Sequence, residues 1–388
     1  MFKNKKVLVY LLLLVLVSLG HLIFVFRTNT FFSIDDFFEI AYFRNHSILQ
    51  FVPDFLVHGD INEFTRIVGF VAFALLQKVF GINHIAFDVA MFATHTINLV
   101  LLFFVVRKLT KNDFASFFVS LIFNKNYLFY YSNIHENLLA TFCILTIFFF
   151  LYYPKKFYLS VISFVLALFS KETAVTLPLV LFAISLFYKL ERKKIFYLLL
   201  ISGLFAIYAG YFFVTKKVLG DNFVYTPASR IVDLFRGYLY FIDYKIIALC
   251  VGLAIYYKKY KLLPLFLTVF ITLTPASMLV NRREMYYVYM PFLYLMIFLS
   301  MLLPKLNIKT SILYILVFFI FGGRSILPRI AWQNFPNWQK VSMYSVMDRV
   351  ESGSNDFSDL NLERDAKSMI GSGTTDLFIE QRRKERND

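Results

Sequence analysis

The chain has 388 residues, 59% of them apolar and 20% aromatic, and only 17% are charged, which excludes an ordinary soluble domain. Its formal net charge of +15 would suit a nucleic-acid binder, but much of it sits where membrane topology explains it, and no nucleic-acid partner is needed. The two cysteines, Cys143 and Cys250, fall inside apolar runs, so no disulfide framework is expected.

In chain order, apolar windows cover about 7–26, 85–106, 114–131, 137–153, 157–170, 173–188, 195–214, 238–257, 262–280, 286–303 and 311–323. At ~20 residues per crossing these amount to about eleven spans. The expected fold is an all-α, polytopic transmembrane helical bundle over 1–323, followed by a polar tail over 324–388. The first window follows Phe2-Lys3-Asn4-Lys5-Lys6 and leads to no small-x-small cleavage site, so it is expected as an uncleaved span.

The connection 27–84 is the longest in the membrane part, and long connections tend to carry function. It opens with Ser33-Ile34-Asp35-Asp36-Phe37-Phe38-Glu39, an acidic cluster costly beside a membrane unless it binds something or does chemistry. An aspartate there could take a proton from an acceptor hydroxyl. Equally, Asp35 and Asp36 could cap a short helix beginning at Phe37. The same connection ends in Ile67 to Phe80 behind Arg66, a length that suits a helix lying in the interface.

Placing the N-terminus in the cytoplasm puts seventeen Lys and Arg residues on alternate, cytoplasmic turns, against only Asp113 and Glu191. The opposite, external face then receives nearly every other polar cluster: Asp35-Asp36, Asn133-Ile134-His135-Glu136, Ser170-Lys171-Glu172-Thr173 and Asn281-Arg282-Arg283-Glu284. This one-sidedness favours a single shared site. His135 could hydrogen-bond a sugar or phosphate with Glu136 orienting it, although an interfacial aromatic belt with a polar tip explains that element too. Lys171-Glu172, between two short spans, reads as a cation for a phosphate with a carboxylate that tunes it, or as a self-neutralising turn. Arg282 and Arg283 suit bidentate phosphate contact, and a lipid headgroup would satisfy them as well. Asp88 and His95, seven residues apart, could share a helix face, with a structural hydrogen bond to a neighbouring helix the expected role.

The order of these elements resembles the GT-C superfamily of integral-membrane glycosyltransferases, near the dolichyl-phosphate-mannose protein mannosyltransferases and the TMTC-type enzymes. The resemblance spans roughly residues 30–180 and rests on Asp35-Asp36, Phe64-Thr65-Arg66, Val79-Phe80-Gly81-Ile82-Asn83, His95-Thr96-Ile97-Asn98, His135-Glu136 and Leu168-Phe169-Ser170-Lys171-Glu172-Thr173-Ala174. It implies transfer of a sugar from a polyprenyl-phosphate carrier to a protein, lipid or glycan acceptor on the outer face. Asp35 would be the base, with Asp36 and Glu172 as supporting carboxylates. Arg66 and Lys171 would hold the donor phosphate by motif position; Arg282 and Arg283 join them on charge and topology. His135 and Glu136 would contact substrate. No cofactor is expected, and a divalent cation on Asp35 stays open.

Two departures bear on the acceptor. The segment before Arg66 lacks the Tyr-Arg-Pro form of the TMTC-type branch, and the tail 324–388 carries no tetratricopeptide repeats. That tail holds ten basic and ten acidic residues and too little apolar content for a sizeable core. A bacterial plasma membrane is the simplest placement. The rival reading is a transporter or lipid flippase, which predicts functional charges near the bilayer midplane and repeated halves; no repeat is evident in this sequence.

Overall fold

A computed structural model describes residues 5–27, 48, 66–81, 83–124, 134–215, 230–278 and 285–322. Asp35, Asp36, Arg282, Arg283 and the tail 324–388 lie outside these, as does the segment where a helix after Phe37 is expected.

The described residues fold as thirteen α-helices with no strand: α1 Lys5–Arg27, α2 Ile67–Phe80, α3 His84–Thr110, α4 Asp113–Phe123, α5 Ile134–Tyr152, α6 Phe157–Leu168, α7 Leu177–Ser185, α8 Arg192–Thr215, α9 Ile231–Phe241, α10 Tyr244–Tyr256, α11 Leu263–Met278, α12 Tyr289–Leu302 and α13 Ile308–Gly322. The all-helical expectation holds for this part of the chain. Among the described residues, four segments are long and apolar enough to cross a membrane, namely Ile85–Thr110, Ile134–Tyr152, Arg192–Tyr211 and Tyr260–Met278, or five with the bent pair α9–α10. Length and composition therefore establish fewer spans than the eleven windows suggest.

Three of the windows contain a local break in the α-helix. Apolar windows at 173–188 and 286–303 each begin with a turn of 3₁₀-helix, Glu172–Thr176 and Met285–Val288, before the α-helix starts. The window 238–257 is divided by Asp243, whose carboxylate accepts from Lys245 N at 3.0 Å and caps α10, and the chain bends by 82° there.

Packing centres on α12. All but two of its residues are buried, so it is apolar around its whole circumference, as a helix enclosed by others must be. Helix α8 is its counterpart at the rim, with Leu204 and Ile207 exposed. An apolar outer surface of this kind fits surroundings of lipid. Close approach between helices uses glycine at two positions. A Cβ on Gly69 of α2 would lie 1.8 Å from His135 Nδ1 of α5, and one on Gly237 of α9 would lie 2.4 Å from the Ser277 carbonyl of α11.

The basic turns gather at one end of the bundle. Arg107 Nε pairs with Asp113 at 2.6 Å, and Asn112, which caps α4, donates to the Pro304 carbonyl at 3.1 Å. Lys259 Nζ donates to the Met301 carbonyl at 2.7 Å, Lys194 Nζ to the Pro154 carbonyl at 2.7 Å, and Lys108 lies 4.9 Å over the Tyr152 ring. Arg66, Glu136, Lys171 and Glu172 meet at the other end.

Candidate functional site

That other end is assembled by three connections. Helix α2 starts after Arg66, and Val68 N donates to the Phe169 carbonyl at 3.0 Å, which fastens the start of α2 to the end of α6. Helix α5 opens with Ile134-His135-Glu136, so Glu136 stands in a first turn, where the helix dipole favours a carboxylate. The chain leaves α6 at Phe169, passes through Lys171 in extended conformation, and enters the 3₁₀ turn Glu172–Thr176.

Extended backbone sends successive side chains to opposite sides. Lys171 turns inward and Glu172 outward. The Lys171 ammonium donates to Glu136 Oε1 in an ion pair whose two side chains are each 3% exposed. It also lies 4.6 Å from the centre of the Tyr287 ring, a cation–π contact from the 3₁₀ turn ahead of α12. Glu172 instead faces Arg66, with Oε2 3.8 Å from Nε, and both of these side chains keep partial access to the surroundings. The site is thus a buried ion pair behind a looser, accessible one.

His135 is buried beneath α2, its ring set edge-on to Phe70 at 4.8 Å and resting in the space that Gly69 leaves. In this position it packs α5 against α2. Of the nine residues expected to form the site, four come together: Arg66, Glu136, Lys171 and Glu172. Asp35, Asp36, Arg282 and Arg283 fall outside the described residues, although Tyr287 fixes the chain three residues after Glu284, close to Lys171.

A second polar group lies beneath the first. His95 Nδ1 shares a hydrogen bond with Tyr289 Oη at 2.8 Å, and Nε2 one with Asn124 Oδ1 at 3.2 Å. Asn98 Nδ2 donates to the Asn137 carbonyl at 3.0 Å and to Tyr289 Oη at 3.3 Å, while Thr141 donates to Asn98 Oδ1 at 2.7 Å. The hydrogen bonds expected of His95 are present. The partners Tyr289, Asn124 and Asn137 were not singled out from sequence; an Asn inside an apolar helix was the available signal, since such a group must find a partner. The network joins α3, α5 and α12 directly below Glu136 and Tyr287, so it fixes the floor of the site.

Chemically, the arrangement offers one locked cation and one exchangeable one. Lys171 is neutralised by Glu136 in a dry setting, where removing either partner would leave an uncompensated charge. Arg66 is accessible and planar and lies near one carboxylate, so an anionic group could compete for its guanidinium. Among the described residues no three of His, Cys, Asp and Glu are grouped to hold a metal ion. No protein-family model, curated protein or solved structure matches the chain.

Proposed function

We propose that the chain is a membrane glycosyltransferase of GT-C type, transferring a sugar from a polyprenyl-phosphate donor to an acceptor at the membrane face opposite the basic turns. The observation that carries this reading is the convergence of Arg66, Glu136, Lys171 and Glu172, from three separate segments, at that end of the bundle. In this reading the number of crossings is about eleven, the N-terminus is cytoplasmic, and the site opens outside a bacterial plasma membrane.

Asp35 takes the proton of the acceptor hydroxyl, and Asp36 supports it. The donor phosphate gains negative charge as its bond to the sugar breaks, and preorganised cations stabilise that charge. Arg66 is the direct contact, assisted by Arg282 and Arg283. Lys171 acts from behind: held by Glu136 and Tyr287, it adds a fixed positive potential and anchors the turn that presents Glu172. A transporter would require its working charges at mid-depth, whereas Glu136 and Lys171 sit at helix ends.

The test is sugar release from polyprenyl-phosphate sugars by the purified protein in lipid, with a broad acceptor extract. Wild type turns over at least one donor. Asp35→Asn lowers turnover by about 10²-fold or more while donor binding persists, and Arg66→Gln weakens donor binding. Failure of wild type to consume any donor removes the enzyme reading.

A further inference from the structure

At the basic end, Phe114 and Phe118 of α4 face α13 across an apolar groove of ≈ 410 Å³, completed by Leu306, Tyr314, Ile315 and Phe319. The groove runs from the turn at 304–308 down α13 to Phe319, eleven residues past Ile308, or ~16 Å at the α-helical rise. That depth suits most of a fatty acyl chain. Three exposed lysines lie in the turns that adjoin it. Lys305 directly precedes Leu306, Lys309 lies in the first turn of α13, and Lys111 is held beside them because its neighbour Asn112 donates to the Pro304 carbonyl at 3.1 Å. The carboxylate in this region, Asp113, is taken up by Arg107 at 2.6 Å. Among the described residues none of the three lysines has an ion-pair partner.

We propose that this groove is a binding site for an anionic phospholipid of the leaflet that meets the basic end. One acyl chain lies between α4 and α13, and the phosphate is held by Lys111, Lys305 and Lys309. Charge complementarity selects the anionic lipid: the walls are apolar and would accept any acyl chain, so discrimination falls to the three unneutralised ammonium groups. The polyprenyl donor is a different molecule at the opposite end of the bundle, and this site does not depend on the glycosyltransferase reading.

The experiment uses the full chain, purified and stripped of lipid in detergent. It is titrated separately with dioleoylphosphatidylglycerol and dioleoylphosphatidylcholine, and bound lipid is counted by native mass spectrometry. Wild type is expected to retain the phosphatidylglycerol preferentially. The preference falls by roughly fivefold for each of Lys111→Gln, Lys305→Gln and Lys309→Gln, surface changes that leave the core intact. Ser311 also lines the groove, and Ser311→Trp, which fills it, abolishes retention of the tight phosphatidylglycerol without changing the unfolding temperature. Equal retention of the two lipids by wild type overturns the proposal. So does a preference that survives the triple lysine substitution, or displacement of the bound lipid by polyprenyl phosphate.

Discussion

At the scale of single residues, the Glu136–Lys171 pair and the Gly69–His135 contact decide most. Neither Glu136 nor Lys171 can be removed alone without stranding its partner's charge in the interior. Lys171→Met is therefore expected to destabilise the protein by ~3–5 kcal/mol. The double variant Lys171→Met, Glu136→Gln should recover most of that loss, as read by thermal unfolding in detergent. A single variant as stable as wild type would show that the pair is not buried in solution. Gly69→Ala meets His135 Nδ1 at 1.8 Å, so α2 or the imidazole must move. The expected cost is ~1–3 kcal/mol. Adding His135→Ala in the same chain should restore stability, because the two changes share one space; no recovery would mean that His135 does not fill the gap left by Gly69.

At the scale of elements, the turns matter more than the helices they join. Tyr287 and Tyr289 flank the start of α12, one against Lys171 and the other bonded to His95 and Asn98. Tyr289→Phe removes the hydroxyl that those two residues share and should cost about 1–2 kcal/mol. It should also raise the reactivity of Lys171 toward amine reagents, since the turn carrying Tyr287 loses its anchor. Unchanged labelling would disconnect the lower network from the site.

How much of this was legible depended on whether a signal lay in composition or in a local break. The windows 85–106, 137–153, 195–214 and 262–280 are apolar on average despite a few polar residues, and each coincides with a helix long enough to cross a membrane. The window 238–257 averages over Asp243, and a sliding average cannot register that one capping carboxylate ends one helix and begins another at 82°. The same limit applied to the site. The adjacency of Lys171 and Glu172 in sequence suggested two groups acting on one phosphate. Extended backbone at Lys171 divides them, one toward Glu136 and the other toward Arg66, and which residue turns inward is set by the packing of α5 against α6. His135 was legible as a polar residue at a helix end; its burial was not, since that follows from a glycine sixty-six positions earlier.

At the scale of the whole molecule, charge is sorted along the helix axes. Lysine-rich turns are joined by hydrogen bonds at one end, and the Arg66–Glu172 and Lys171–Glu136 pairs are at the other. Sorting of this kind, with basic turns together at one end, is what the positive-inside tendency uses to orient a chain in a bilayer. The Glu136–Lys171 pair carries one more consequence, for how the protein is made. Glu136 enters the membrane at the head of α5 and Lys171 thirty-five residues later, after α6 has returned the chain to the same face. Each alone would resist partition into lipid, by less at a helix end than the roughly 2.5–3.5 kcal/mol of a charge at a helix centre. Together they cancel only once α5 and α6 have closed against each other. The two helices are thus expected to leave the insertion machinery as a single hairpin, with α5 waiting at its exit for the segment that carries its counter-charge.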